Sequence, residues 1–380
     1  MRFLSSLLGK FDWILLAATL GLVGIGILSL FSTTAPGLSS FYRQALWAVV
    51  GLGAFVLIAS VDYRVFRVHS LPVLALYGIG VLGLVVVLVI GSPVRGAQSW
   101  INVGFFNIEP VEPLKVILVL IFAKYFSMRH VEMYRLQPLL ISAVYLAIPA
   151  FLILRQPDVG SLSILVAIWF GMVLVSGITP QRVAAMGAVG VGLVALGWNF
   201  LLQEYQKGRI LSFLDPSADP LGAGYNSLQS LIAIASGGIW GQGLRQGTQS
   251  QLGFLPEAQT DFIYSAIAEE FGIFMVLLVL VLFAVLFWRL FAIARMAHNN
   301  FARLTVVGVA VMVAAQLFLN IGVAMRLAPV AGVTLPFVSY GGSSLLTLFL
   351  AMGIVQSIYR NTSRAYEIEE RDILAAEMRS

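Results

Sequence analysis

Apolar residues recur along this chain in runs that are long enough to cross a membrane. A hydrocarbon core of about 30 Å requires roughly 20 predominantly apolar residues in a helix. Such runs predict ten spans, joined by short loops except for one long loop at residues 203–261. The predicted spans are 13–32, 43–61, 71–90, 112–127, 137–154, 161–178, 183–202, 262–290, 302–325 and 343–359.

The composition strengthens this interpretation. Hydrophobic residues make up 59% of the 380 residues and charged residues 11%, against about 45–50% and about 25% in soluble proteins. We therefore predict an all-α polytopic integral membrane protein. The first apolar run lacks a small-residue cleavage site, which indicates a retained span rather than a signal peptide. We divide the chain into a transmembrane domain at 1–366 and a charged cytoplasmic tail at 367–380.

The same counts exclude several kinds of site. The chain has no Cys, so disulfides and thiolate metal sites are excluded. With three His residues a His-rich metal site is not expected, and we expect no organic cofactor. The net charge of +5 does not indicate a nucleic-acid partner, because surplus Lys and Arg in a membrane protein mark its cytoplasmic loops.

Orientation follows from the distribution of Lys and Arg between alternate sides of the predicted spans. Fifteen of these 23 residues lie on the side that holds both termini, which predicts that both termini are cytoplasmic. The long loop then lies outside. The eight outer cations are not explained by this rule, and their simplest partner is an anion. They are Arg43, Arg95, Lys115, Arg155, Lys207, Arg209, Arg245 and Arg326.

Two groups of ionisable residues lie at the outer ends of spans in the first half of the chain. Glu112 and Lys115 are three residues apart on one predicted helical face. They form either an internal salt bridge or an ionisable pair that lines a cavity. Asp158, in RQPDVGS, either caps the sixth span or takes part in chemistry.

The long loop is too rich in Leu, Ile, Phe and Trp for a disordered linker. Residues 228–235 predict a short apolar helix that is too short to span and dips into the outer leaflet. The Gly-rich stretch 236–251 that follows has two interpretations. Its glycines form turns only, or they let backbone N–H groups approach a ligand closely.

The stretch QTDFIYSAIAEEFG at 259–272 places carboxylates at the head of the eighth span. Asp261 or Thr260 could cap that helix, or Asp261 could be a reactive carboxylate. Ser265 and Glu269 follow Asp261 along one helical stripe. Glu269 and Glu270 lie one turn inside the span, so we expect them to pair with a cation or to face a polar cavity.

Residues 320–344 contain two Pro and four Gly and do not predict a regular helix. Irregular backbone at a membrane is tolerated where it is buried in protein or lines a cavity. This broken segment is therefore the best indication of a pocket wall.

Taken together, the motifs resemble those of the SEDS family, the RodA/FtsW group of peptidoglycan polymerases, and RodA more than FtsW. The resemblance covers nearly the whole chain, with the same ten-span plan and the same outer loop between the seventh and eighth spans. The matching motifs are RGA-x-x-W at 95–100, P-x-E-x-x-K at 110–115, QPD-x-G at 156–160, RI-x-x-FLDP-x-x-DP-x-G-x-GY at 209–225, QS-x-IAI-x-SGG at 229–238, GTQSQL-x-FLPE-x-x-TDFI-x-S-x-x-AEE-x-G at 247–272 and LP-x-x-SYGGSS at 335–344.

This resemblance implies an enzyme that joins lipid II units into glycan strands on the outer face of the bacterial cytoplasmic membrane. Its donor would be the glycan on undecaprenyl pyrophosphate and its acceptor a lipid II sugar hydroxyl. The family's proposed catalytic aspartate corresponds to Asp261, its Glu–Lys pair to Glu112 and Lys115, and its QPD aspartate to Asp158. A class B penicillin-binding protein, which supplies the transpeptidase, is the implied partner.

The chemistry assigns roles to further residues. A carboxylate is a suitable base for the acceptor hydroxyl, and positive charge is needed where pyrophosphate leaves. The candidates for binding pyrophosphate are Arg95, Lys115, Lys207, Arg209, Arg245 and Arg326. A divalent cation, Mg²⁺ or Mn²⁺, could assist. The expected cavity residues are Glu112, Asp158, Gln156, Ser265, Glu269, Ser339 and Tyr340.

The chain departs from the family pattern at Ser99, Gln242, Ala258 and Gln259, where cationic or ring side chains are usual. Arg326 is a cation where small or apolar residues are common. Arg326 either restores part of a cationic pocket, or the chain has weak or altered activity. Two alternatives to a polymerase therefore stay open, a lipid II flippase and a non-catalytic scaffold of a cell-wall complex.

Overall fold

Ten helices occupy the positions of the ten predicted spans. The structure, a computed structural model, describes residues 11–34, 39–94, 97–104, 106–129, 135–200, 202–215 and 223–377. Within these ranges the helices that correspond to spans are α1 (Trp13–Thr33), α2 (Ser39–Ser60), α4 (Ser70–Ile90), α5 (Val111–Arg129), α6 (Leu136–Arg155), α7 (Val159–Val175), α8 (Pro180–Phe200), α12 (Ile263–Met296), α13 (Asn300–Ala324) and α14 (Gly342–Glu377). A short helix, α3 (Arg64–Val68), lies between α2 and α4.

The prediction of an all-α polytopic membrane protein is confirmed. Eight of these helices are long and apolar enough to cross a membrane, and α7 is a shorter apolar helix. Helix α5 falls outside the eight because it carries Glu112, Lys115, Lys124 and Arg129. These polar residues are mostly buried inside the protein, as expected for ionisable groups at membrane depth.

A small antiparallel sheet between α4 and α5 was not predicted. It consists of β1 (Ser92–Val94), β2 (Ala97–Val103) and β3 (Phe106–Ile108), in the order β1-β2-β3. Ile101 pairs with Ile108 and Asn102 with Asn107. The sheet ends directly before α5, so it fixes where that helix begins.

The long loop between α8 and α12 is largely helical in its described part. It contains α9 (Glu204–Leu214), α10 (Ala223–Gly237) and α11 (Thr248–Gln251). The short helix predicted at 228–235 is therefore confirmed, and it extends further at both ends. Helix α10 packs mainly against α12, the helix that begins just after Asp261.

Helix α13 lies at the centre of the bundle. It packs against α5, α7 and α12, and most of its residues are buried, including Val309, Met312 and Val313. Its start is fixed by Asn299, whose side chain accepts a hydrogen bond from Ala302 N at 2.9 Å. Helix α14 runs beside α2 and continues past the domain boundary predicted at residue 366.

Candidate functional site

Asp261 lies just outside the first turn of α12. The helix begins at Ile263 and its N-cap is Phe262, so neither Thr260 nor Asp261 is the capping residue. Thr260 instead donates from Oγ1 to Glu257 Oε2 at 2.8 Å. Asp261 is half-buried. The capping alternative for Asp261 was therefore wrong.

The backbone around Asp261 is held by three separate donors. The carbonyl of Gln259 accepts from Tyr340 N at 2.9 Å, and the carbonyl of Thr260 accepts from Ser339 Oγ at 2.6 Å. The carbonyl of Asp261 itself accepts from Asn320 Nδ2 at 2.9 Å. Ser339 and Tyr340, predicted as cavity residues, thus contact the candidate catalytic segment through its backbone.

The segment that follows α13 faces the Asp261 carboxylate. Residues 325–341 contain turns and bends but no helix, which confirms the predicted irregular stretch. A Cβ atom on Gly332 would lie 3.9 Å from Asp261 Oδ2. The same segment is tied to α2, because Gln44 Nε2 donates to Ser339 O at 3.0 Å. Residues 325–341, hereafter the broken segment, form one wall beside Asp261.

The other side of the broken segment contacts the start of α7. A Cβ atom on Gly160 would collide with Ala331 O, so only glycine permits this approach. Asp158 is the N-cap of α7 and accepts from Ser161 N at 3.0 Å. The capping interpretation of Asp158 is therefore confirmed, and the cap lies next to the wall of the site.

Glu112 and Lys115 form a buried ion pair in the first turns of α5. Lys115 Nζ lies 2.8 Å from Glu112 Oε1, and both residues are at most 5% exposed. This confirms the internal salt bridge that their spacing predicted. Glu112 and Lys115 interact electrostatically with Glu109, and so does Asp158.

Glu109 is a carboxylate that the sequence analysis did not select. Its Oε2 accepts from Trp100 Nε1 at 3.1 Å, and its N–H donates to Ser343 Oγ at 3.2 Å. Burial, together with the neighbouring carboxylates Glu112 and Asp158, raises the pKa of Glu109 to about 8. Its position three residues before Glu112, in a chain with 18 acidic residues, was an available signal.

Glu269 is satisfied by backbone amides rather than by a cation or a cavity, which corrects the prediction. It is fully buried, and its carboxylate accepts from Gln249 N at 2.7 Å and from Ser250 N at 3.0 Å. Glu270 Oε1 accepts from Gln251 Nε2 at 2.9 Å. Both carboxylates therefore hold the long loop onto α12.

Two further predicted site residues are structural contacts. Gln156 is 1% exposed and donates from Nε2 to Leu84 O at 2.9 Å. Ser265 is fully buried and its Oγ lies 2.6 Å from Ser230 Oγ. Ser265 therefore joins α12 to α10.

The predicted cations occupy different surroundings. Arg95 lies outside the described residues. Arg245 donates to Phe31 O at 3.1 Å and its guanidinium lies 4.5 Å from the Phe31 ring centre, so it contacts the end of α1. Arg326 is half-buried in the broken segment and has a φ of 56°.

Lys207 and Arg209 are half-buried on α9. That helix docks beside Asp158, because Gln206 Nε2 donates to Pro157 O at 3.2 Å. Lys115, the remaining candidate, is engaged by Glu112. The described contacts therefore place α9 near Asp158. Arg326 lies in the broken segment, which also contains Gly332.

The structure describes the surroundings of the four positions that depart from the family pattern. Gln259 donates from Nε2 to Thr33 O at 3.1 Å, and Gln242 Oε1 accepts from Thr248 N at 3.2 Å. Ala258 is buried in a small apolar cluster with Leu255. Ser99 is buried, and its Oγ has no hydrogen-bond partner in the part of the chain that the structure describes.

Among the described residues, eight helices long and apolar enough to cross a membrane, with a shorter apolar helix beside them, define a multi-pass membrane protein. The chain belongs to the FtsW/RodA/SpoVE family of cell cycle proteins, whose model matches residues 10–364. The resemblance to the SEDS family is thereby confirmed.

Relatives and solved structures agree with this assignment. Stage V sporulation protein E of Bacillus subtilis (strain 168) is 37% identical over 359 residues, covering 92% of this chain and 97% of the relative. Peptidoglycan glycosyltransferase MrdB of Escherichia coli (strain K12) is 37% identical over 349 residues, covering 92% and 93%.

Two solved structures share the fold. A chain of a peptidoglycan synthase complex, described as coordinating polymerization and crosslinking, aligns with a TM-score of 0.79 at 30% identity, covering 93% of this chain and 98% of that one. Thermus thermophilus rod shape determining protein RodA aligns with a TM-score of 0.67 at 28% identity, covering 93% and 97%.

Proposed function

We propose that this chain polymerises lipid II into glycan strands, with Asp261 as the general base. The enzyme class predicted from the sequence, a peptidoglycan glycosyltransferase, is confirmed by relatives that carry this name and cover nearly the whole chain. The observation that carries the role of Asp261 is its geometry. A half-buried carboxylate stands at the end of a membrane helix, its backbone is held by three donors, and it faces Gly332.

The proposed reaction is a displacement at the sugar carbon that carries the pyrophosphate. The acceptor hydroxyl of lipid II forms a new C–O bond to that carbon, and the bond to the pyrophosphate oxygen breaks. Asp261 takes the proton of the hydroxyl, and undecaprenyl pyrophosphate leaves with the bonding electrons. A base of this kind accelerates such reactions by about 10²–10⁴-fold.

Positive charge is required at the leaving pyrophosphate. Arg326 is the cation that we favour for this role, because it lies in the broken segment, six residues before Gly332. Lys207 and Arg209 are the next candidates, since their helix lies beside Asp158. That Arg95, Lys115 and Arg245 bind pyrophosphate stays a prediction. Lys115 is already paired with Glu112, and Arg245 already donates to Phe31 O.

A divalent cation also stays a prediction. Among the described residues no group of three or more His, Asp or Glu side chains is arranged to hold a metal ion. The steps proposed above use only side chains of this chain.

The protein is a multi-pass membrane protein, and we place it in the bacterial cytoplasmic membrane with both termini inside. The excess of Lys and Arg on the terminal side supports this orientation. The partner that we propose is a class B penicillin-binding protein. The similar chain from a peptidoglycan synthase complex supports that proposal.

The test is polymerisation of purified lipid II by the protein together with its penicillin-binding partner. Asp261→Asn removes the base but keeps the size of the side chain, so we expect about 10²–10⁴-fold slower polymerisation. Asp62→Asn, a carboxylate change between α2 and α3, serves as the control and should retain activity.

Full activity of Asp261→Asn would exclude Asp261 as the base. The flippase alternative is measured separately, in liposomes that carry lipid II on one side. Movement of lipid II that is unaffected by Asp261→Asn, without polymer formation by the wild type, would favour the flippase.

A further inference from the structure

Asn320, in the last turns of α13, bridges the two walls of the candidate site. Its Nδ2 donates to Asp261 O at 2.9 Å and to Val333 O at 2.8 Å. One amide nitrogen therefore joins the residue that carries the candidate base to the segment that faces it. The side chain is 1% exposed, so water does not compete with these bonds.

The orientation of this amide is determined by its surroundings. Asn320 Oδ1 is buried and has no hydrogen-bond partner in the described part of the chain. The reversed amide would place Oδ1 against two carbonyl oxygens, which repel it, and would leave those carbonyls unsatisfied. The two donated bonds therefore fix the side chain in one orientation.

These bonds act on the position of the Asp261 carboxylate from both directions. On one side, Asn320 holds the Asp261 carbonyl, one residue after the Thr260 carbonyl that Ser339 holds. On the other side, it holds Val333, which follows the Gly332 that faces Asp261 Oδ2. Ser339 and Tyr340 also link the broken segment to residues 259 and 260, but Asn320 is the side chain that bonds to Asp261 itself and to the residue after Gly332.

We propose that Asn320 is a positioning residue for glycosyl transfer. It does not touch the reacting atoms, and it fixes where the Asp261 carboxylate stands relative to the broken segment. The proposal rests on the proposed function of Asp261 as base. Displacing a catalytic group by about 1 Å can cost about 10²-fold in rate, so loss of Asn320 should be visible in kcat.

The experiment compares Asn320→Ala with Asn299→Ala in the polymerisation of lipid II by the protein and its penicillin-binding partner. Asn299 caps the opposite end of the same helix and also donates to Tyr63 Oη at 2.9 Å, so both variants lose a structural amide of α13. We expect Asn320→Ala to lower kcat by about 10–10²-fold with little change in KM for lipid II. Asn299→Ala should keep kcat per folded molecule.

Asn320→Asp sharpens the comparison, because it keeps the shape but replaces the donor with an oxygen that faces two carbonyls. We expect its kcat to be lower still and the acidic limb of its pH profile to move. If that variant does not fold, Ser339→Ala removes the independent donor to Thr260 O and should also lower kcat without raising KM. A kcat of Asn320→Ala within twofold of Asn299→Ala, or an equal rise in KM in both, would overturn the proposal.

The outcomes separate the two hypotheses. A wild-type protein that makes no glycan with its partner overturns the proposed function, and the role of Asn320 falls with it. An active wild type with an equally active Asn320→Ala variant overturns the role of Asn320 alone. An active wild type, an inactive Asp261→Asn variant and a slow Asn320→Ala variant with unchanged KM support both.

Discussion

At the scale of single residues, the carboxylates Glu109, Glu112 and Asp158 differ in the groups that satisfy them. Glu112 has the ammonium group of Lys115 at 2.8 Å, and Asp158 has a backbone amide. Glu109 has only the indole N–H of Trp100 at its carboxyl oxygen among its described hydrogen bonds, with two carboxylates nearby. Burial disfavours the charged form of Glu109 and the two carboxylates add to that effect, which is why its pKa rises.

This raised pKa predicts how stability depends on pH. The pKa of Glu109 is about 8 in the folded protein against 4.5 as its ordinary value. Between these values the folded state holds a proton that the unfolded state has released, so this contribution to stability is lost as pH rises. Glu109→Gln, which is always neutral, should lose less thermal stability than the wild type between pH 5 and pH 8.

Thermal unfolding in detergent measures this difference. We expect the melting temperature of the wild type, relative to Glu109→Gln, to fall by about 2 °C or more over that range. Asp62→Asn is the control for removal of a carboxylate elsewhere. Parallel pH curves for the wild type and Glu109→Gln would contradict a raised pKa at this position.

At the scale of elements, α12 is interrupted at Gly272, and the long loop packs against this interruption. Gly272 has a φ of 70° and a ψ of −168°. The break frees carbonyls of the preceding turn, so that Glu269 O accepts from Gln242 N and Glu270 O from Gly243 N. Backbone N–H groups of the Gly-rich stretch therefore donate to carbonyls of α12. The sequence had left open whether these N–H groups would approach a ligand.

The break makes Gly272 sensitive to substitution. A Cβ atom there would collide with Gly241 N and Ile239 O, and the positive φ is unfavourable for any other residue. We expect Gly272→Ala to destabilise the protein by about 1–3 kcal/mol, seen as a lower melting temperature. Gly24→Ala is the matched control, since it lies inside α1 with nothing within 4 Å of its Cβ position. Equal melting temperatures for the two variants would show that the break is not required.

The spans could be predicted from the sequence because hydrophobic length alone determines them. The Glu112–Lys115 pair and the Asp158 cap also followed, since each depends on residues three apart in one helix. The partners of Glu269 could not be predicted, because they are backbone amides about 20 residues away in the chain. Asn320 was missed for a similar reason, since its role depends on contacts with distant segments.

At the scale of the whole molecule, α1 is held at both ends by other parts of the chain. At its N-terminus Asp12 caps the helix and forms an ion pair with Arg289 at 2.6 Å. At its C-terminus Gln251 donates to Ser32 O and Gln259 to Thr33 O. Carbonyls at a helix end lack partners within the helix, so these donors tie α1 to the segment that leads to Asp261.

The two ends of α1 should therefore respond differently to mutation. The helix has 21 residues, so its ends are about 30 Å apart. Changes at Asp12 should lower stability without altering polymerisation per folded molecule, because the hydrogen bond described between α1 and the segment before Asp261 lies at the far end of the helix.

Two substitutions separate the contributions of Asp12. Asp12→Asn keeps a side chain that caps helices well but removes the charge that pairs with Arg289, whereas Asp12→Ala removes both. We expect Asp12→Ala to be less stable than Asp12→Asn by about 1 kcal/mol, the effect of a lost cap, and therefore to melt at a lower temperature. Both variants should melt below the wild type, because a buried ion pair is broken. Polymerisation rates, normalised to folded protein, should be equal in all three. A normalised rate that falls with the melting temperature would show that the two ends of α1 are coupled through the helix, and that the site depends on the whole bundle rather than on the contacts around Asp261.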